Sequence, residues 1–190
     1  MKTSPELQIQ RLNNIIHKIE SFSSLDIENL STKPGPKQWS LIEIIDHLNL
    51  SYALYRPRID ALLQKLPERK VVNESYASKG LKGWLIASYK PKNNKRSFKI
   101  KTFSNLEPVV DATKLDGNKQ RLTFEAFFDH MAHLKKNIIA SRSKDCSKGK
   151  LDSAVGSMLR FTLPEAVEFN LNHMDRHLIQ LEETWAAVKI

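Results

Sequence analysis

Six histidines are the residues of this chain best suited to chemistry. His173 and His177 lie four apart in a stretch of helical periodicity, so both leave one face about one turn from each other. That spacing can present two imidazoles to a single metal ion. Both border the apolar positions Met174, Leu178 and Leu181, so an inward orientation is expected. His47 lies beside Ile44 and Leu48 on the core-facing seam of a second amphipathic segment. If those two segments are neighbours, three neutral imidazoles converge. Three protein donors with an open fourth position are the arrangement of a catalytic zinc site, as opposed to a closed structural one.

The other chemical residues read as bystanders. His130 and His133 are three apart with Asp129 beside them and form a rival pair. They flank the Phe127/Met131/Leu134 face on its polar side, where solvation is the simpler account. His17 carries no signal. Cys146, the single cysteine, excludes an intramolecular disulfide framework and any multi-cysteine metal site. It sits in a polar loop, Ser143 to Lys148, whose lysines could lower its pKa. Asp46 and Asp175 could orient ligand imidazoles from outside, but the sequence assigns neither.

Four amphipathic helices would position these groups. The first spans about 5–22, with Ser4 as cap and Pro5 at the first helical position. The second spans 40–66. Ser40 and Glu43 form a capping box, Trp39 can staple onto Ile44, and Pro57 bends or ends the first part. The third spans 123–141 and the fourth 163–188, where Thr162 and Glu165 make a second capping box. Four such helices predict an all-α four-helix bundle, in a single domain over 1–190.

The crossover, 67–120, is too long for a plain bundle turn. Residues 66–120 hold twelve Lys/Arg against five Asp/Glu, so most of the net charge of +9 sits there. Within it, 97–103 alternates like a short strand, and Gly80 to Tyr89 reads as a short helix around Trp84. Basic residues interleaved with Tyr89, Phe98 and Phe103 are what a single-stranded nucleic-acid surface requires. No RNP, helix-turn-helix or zinc-finger pattern accompanies them, which argues against nucleic acid. A solvated loop is the plainer account, with attraction of an anionic small substrate as an intermediate one.

At 41% hydrophobic and 27% charged residues over 190 positions, the chain can bury a core and is not disordered as a whole. No apolar run approaches the roughly 18 residues of a membrane span. The polar N-terminal residues lack a signal-peptide core, and only six glycines, none in a phosphate-loop pattern, argue against a mononucleotide-binding domain. A cytoplasmic protein is the expectation.

The stretch Lys37-Gln38-Trp39-Ser40-Leu41-Ile42-Glu43-Ile44-Ile45-Asp46-His47-Leu48 resembles the signature of the DinB-like superfamily: a Trp-Ser start, a Glu in the first turn, then His-Leu. The stretch His173-Met174-Asp175-Arg176-His177-Leu178-Ile179-Gln180-Leu181 resembles that family's closing motif, His-x-x-x-His followed by Leu and Gln. The order of four helices, with the long link after the second, extends the likeness over nearly the whole chain. The resemblance implies a four-helix bundle holding a divalent ion (zinc, nickel or iron) on His47, His173 and His177. It implies a thiol-dependent S-transferase, joining a small-molecule thiol to an electrophilic substrate, or a metal-dependent hydrolase, and a homodimer. The alternative is a non-catalytic scaffold whose basic 66–120 segment contacts a polyanion or a partner protein.

Overall fold

In the computed structural model, which describes residues 2–71, 75–93, 95–96, 102–154 and 156–189 (without the side chains of 156–158), the chain is mostly helical. In chain order the elements are β1 (Lys2–Thr3), α1 (Pro5–Ser23), α2 (Ile27–Ser31), α3 (Leu41–Ala53), α4 (Arg56–Lys65), β2 (Tyr76–Ala77), α5 (Gly80–Tyr89), α6 (Gly117–Ala140), β3 (Leu151–Ser153), β4 (Gly156–Phe161) and α7 (Leu163–Val188). Both α1 and α3 pack against α6 and α7. Their apolar stripes meet in a core that includes Leu12, Ile15 and Ile19 of α1, Ile44, Ile45 and Leu48 of α3, Phe127 and Leu134 of α6, and Leu171 and Leu181 of α7. Full burial of each such side chain stabilises by about 1.5–3 kcal/mol relative to exposure.

Caps set the helix starts. Ser4 Oγ accepts the Leu7 amide at 3.2 Å, opening α1. Glu43 Oε2 accepts the Ser40 amide at 2.8 Å, and Glu165 Oε2 accepts the Thr162 amide at 2.8 Å, opening α3 and α7. Asp26 and Asp116 open α2 and α6 in the same way, accepting the amides of Asn29 and Lys119.

Three boundaries differ from the sequence reading. The expected 40–66 helix divides at Leu54–Tyr55 into α3 and α4, and Pro57 falls in the first turn of α4, where its missing N–H costs nothing. The expected 123–141 helix begins six residues earlier, because Asp116 caps a polar first turn that carries no apolar stripe. The crossover is correspondingly shorter. The antiparallel β3–β4 hairpin, with Leu151 opposite Phe161 and Asp152 opposite Arg160, was not expected. The short helix around Trp84 is α5; the strand expected over 97–103 lies largely outside the described residues.

Nearly every residue of α3 from Leu41 to Tyr52 is buried. A helix buried on all sides is an interior helix, and its polar positions need partners. The crossover and α6 supply several of them. Asp46 Oδ2 accepts the Val109 and Val110 amides at 2.7 and 3.0 Å, and Asn49 Nδ2 donates to the Thr123 carbonyl at 2.9 Å. The crossover is held on α7 as well. Asn172 Nδ2 donates to the Ile86 carbonyl at 2.8 Å, Ser78 Oγ donates to Glu165 Oε1 at 2.7 Å, and Lys82 pairs with Glu165 at 2.7 Å. The basic segment therefore forms a cover clamped over α3 and α7.

Candidate functional site

Under that cover the three predicted imidazoles meet. His47 comes from the second turn of α3, and His173 and His177 from successive turns of α7. Their Nε2 atoms converge: 3.3 Å separates those of His47 and His173, and 3.1 Å those of His173 and His177. One ring nitrogen from each lies within 4.8 Å of the other two. His47 and His177 are buried, and His173 is partly so.

The opposite edges of two rings are fixed. His47 Nδ1 donates to the Leu106 carbonyl at 2.7 Å, and His177 Nδ1 donates to Gln180 Oε1 at 2.9 Å. These bonds set the tautomer, leaving both Nε2 atoms as lone-pair acceptors. Whichever nitrogen carries the His173 proton, at most one proton meets these lone pairs, so lone pairs outnumber protons at the centre. Burial pushes all three imidazoles below their ordinary pKa. That of His173 falls to about 3, with proximity to His47 and Arg176 adding to the effect, and that of His177 falls well below the usual range. At neutral pH the group is three neutral nitrogen donors aimed at one point, an arrangement able to hold a cation.

Trp39 packs on the cluster. Its ring centroid is 4.9 Å from that of His47 and lies stacked 6.5 Å from that of His177. Trp39, which also packs against the core, thus walls the imidazoles. Beside them opens a cavity of about 480 Å³, lined by residues that include Trp39, Tyr55, Tyr89, Phe103, Phe169 and Arg176. The hairpin contributes Ala154, whose amide donates to the Tyr55 hydroxyl at 3.2 Å and fixes that wall.

Several sequence candidates sit elsewhere. Asp46 binds backbone amides of the crossover rather than an imidazole. Asp175 pairs with Arg11 at 2.6 Å, in a network that also joins Arg11 to Glu168 and Asn172 across α1 and α7. Cys146 is buried in a separate cavity with Tyr76 and Ser78, and burial raises its thiol to about 11, overturning the lowered pKa that its lysine neighbours suggested. His133 is not simply solvated. Its Nδ1 accepts from the Tyr52 hydroxyl at 2.9 Å and its Nε2 meets Asp60 at 2.8 Å, linking α3, α4 and α6. His130 adjoins Arg56 at 3.3 Å, and His17 is exposed beside Glu20.

Sequence reasoning missed Leu106 and Arg176, and it quoted Gln180 in the closing motif without giving it a role. Gln180 was detectable, being three residues after His177 on the same helical face. Leu106 was not, because its contribution is a backbone carbonyl 59 residues away from His47.

Comparison with known proteins adds one relative and no activity. Over 162 residues, covering 85% of this chain and 86% of the other, the sequence is 27% identical to "Uncharacterized protein YuaE" of Bacillus subtilis (strain 168). No family model matches the chain, and no solved structure matches it. Among the described residues no helix is long and apolar enough to cross a membrane.

Proposed function

We propose that this protein is a divalent-metal-binding four-helix bundle of DinB-like type, acting as a thiol-dependent S-transferase or a metal-dependent hydrolase. His47, His173 and His177 are the ligands in this reading. The observation that carries it is the convergence of three Nε2 atoms with two Nδ1 edges tied to acceptors. Nitrogens at bonding distance around a tetrahedral ion stand about 3.4 Å apart, close to the 3.1 and 3.3 Å separations found here. An all-imidazole set suits zinc, nickel or iron. The packing of α1, α3, α6 and α7, with the long cover after α4, supports the bundle assignment.

When bound, the ion would supply Lewis acidity, bringing the pKa of a water or a cosubstrate thiol toward neutrality. The chain's own residues do the rest. Leu106 and Gln180 hold two rings in one tautomer and orientation, Trp39 walls the cluster, and the cover limits access of bulk water. Cys146 is protonated and in another cavity, so the sulfur nucleophile of a transferase would come from a small molecule, and the cavity would hold its electrophilic partner. Cytoplasmic location and homodimeric assembly belong to the same reading.

The test is metal analysis of protein purified without chelator. About one equivalent of zinc, nickel or iron is expected, lost in His47→Ala, His173→Ala or His177→Ala. Metal-free wild-type protein that also fails to take up added zinc or nickel defeats the reading.

A second reading is a non-catalytic scaffold binding a polyanion. It is favoured by the exposed Lys90, Lys92 and Lys95 and by the 65%-exposed Trp84. It requires salt-sensitive binding to heparin that weakens when Lys92 and Lys95 become Gln and is unmoved by the histidine substitutions.

A further inference from the structure

Helix α5 turns large apolar side chains outward. Its inner side is fixed on α7. Gly83 and Ile86 are buried, and the Ile86 carbonyl accepts from Asn172 at 2.8 Å. A Cβ at position 83 would stand 2.6 Å from the Ser78 carbonyl oxygen, so only glycine allows this approach. Lys82, on the flank, is paired with Glu165. Leu81, Trp84, Leu85 and Ser88 follow the i, i+3, i+4, i+7 spacing of one helix face, and that face is the outer one. Leu81 is 80% exposed and Trp84 65%. Apolar side chains scattered singly over a surface need no account, but neighbours on one helix face do.

The charges of this segment are of one sign. Residues 75–96 hold six Lys/Arg and no Asp/Glu. Lys82 and Arg96 are paired with Glu165 and Glu183. Lys79 and Lys90 stand at the two ends of α5; both are exposed and form no ion pair among the described residues. Lys92 and Lys95, also exposed, exchange backbone hydrogen bonds at 3.2 and 2.9 Å. Two like charges thus stand opposite one another, which is unfavourable until an anion meets them.

A second copy of the chain does not fit this face. A two-fold interface would set the lysines against their own equivalents. Of the net charge of +9, +7 falls in residues 66–120, and the remaining +2 leaves a copy no excess of acid to offer. Two large side chains also fall short of the ~800 Å² per partner of a stable interface. Single-stranded nucleic acid would stack on Trp84 but has no use for the leucines beside it. A bilayer surface uses all of them. Anionic headgroups meet the lysines, Trp84 sits at headgroup level, and Leu81 and Leu85 reach the acyl boundary. A helix lying in that plane needs none of the length of a spanning one.

We propose that the outer face of α5, with Lys79, Lys90, Lys92 and Lys95, docks on an anionic lipid bilayer, Leu81 and Trp84 entering the interface. The proposal stands apart from the metal centre; it rests on the polyanion reading only for the affinity of the lysines for anions.

The test is sedimentation of the whole chain with vesicles of phosphatidylcholine and of phosphatidylcholine mixed with phosphatidylglycerol. Partitioning onto the mixed vesicles about tenfold or more above the neutral ones is expected, falling as salt rises. Lys79→Gln, Lys90→Gln, Lys92→Gln and Lys95→Gln should each lower it about fivefold, and Leu81→Ser or Trp84→Ser about tenfold. Trp84→Phe should still bind but lose the blue shift in tryptophan emission that accompanies docking of wild type. All of these positions are exposed, so the fold is kept, and circular dichroism verifies it. Equal partitioning onto the two kinds of vesicle overturns the proposal, as does a Trp84→Ser protein that partitions like wild type. Binding of heparin or a thymidine oligonucleotide without vesicle binding overturns it too, and leaves the polyanion reading standing. His177→Ala should dock like wild type. Docking without zinc uptake sinks the metal centre alone, and zinc uptake without docking sinks this surface alone.

Discussion

His173 illustrates how far burial alters a side chain. In the unfolded chain its imidazole titrates near the ordinary value of 6.5, whereas in the folded protein the value is about 3. His47 and His177 shift in the same direction. As the pH falls through 6.5 the unfolded state therefore gains protons that the folded state refuses, and stability drops. Above about pH 7.5 these groups contribute no pH dependence, and the loss continues downward until the folded-state pKa values are reached. Each imidazole costs up to about 1.4 kcal/mol per pH unit in that window. For chelator-treated protein we expect the urea midpoint to fall between pH 7 and pH 5, and His173→Leu to flatten the slope by about a third. A level profile in wild type would mean that the rings are solvated and the centre is not built as described. At this scale the sequence was informative where chemistry lay in side-chain type and spacing. HxxxH on an apolar border placed two rings correctly, and the seam position of His47 placed the third. It was uninformative where the partner was a backbone carbonyl, as at Leu106, or where a charge such as Arg176 was buried by a distant segment folding over it.

The elements that could be read ahead were those carrying their own signals. α1 and α7 were legible from cap to end because Ser4-Pro5 and Thr162-Leu163-Pro164-Glu165 mark their starts and an apolar stripe runs their length. The first turns of α6 are polar, so only the capping Asp116 betrays them. The α3–α4 break and the hairpin depend on what packs around them: Tyr55 is buried against the hairpin turn, and Leu151 and Phe161 enter the core. The crossover's function as a cover was invisible for the same reason, although it explains the buried polar face of α3. Asp46 is its fastener. By holding the Val109 and Val110 amides it fixes the segment whose Leu106 carbonyl orients His47. Asp46→Ala is thus expected to weaken zinc affinity by about tenfold or more without removing any ligand. Asp46→Asn, which keeps an acceptor oxygen, should recover most of it. Competition with a colorimetric chelator measures both. Unchanged affinity in Asp46→Ala would show that Leu106 holds its position without the fastener.

Across the whole molecule, the imidazole cluster joins positions 126 residues apart, since His47 lies in α3 and His173 in α7. Both helices pack on α1 or α6 through the common core, and the cover is clamped to each. A cation held by that cluster binds the folded arrangement and finds no such site in the unfolded chain, so its binding free energy adds to stability. At a free concentration 100-fold above its dissociation constant the gain is about 2.7 kcal/mol. For a chain of this length that corresponds to a rise of about 5–10 °C in Tm. Thermal denaturation with zinc and with EDTA should show this difference in wild type and lose it in His47→Ala and His177→Ala. His133→Ala supplies the control, because His133 bonds Tyr52 and Asp60 outside the cluster. That substitution should lower Tm with zinc and with EDTA alike and leave the difference between them intact. If it abolishes the difference while the cluster substitutions do not, zinc stabilises the protein through the α6 histidines, and the centre assigned to α3 and α7 is not where the ion acts.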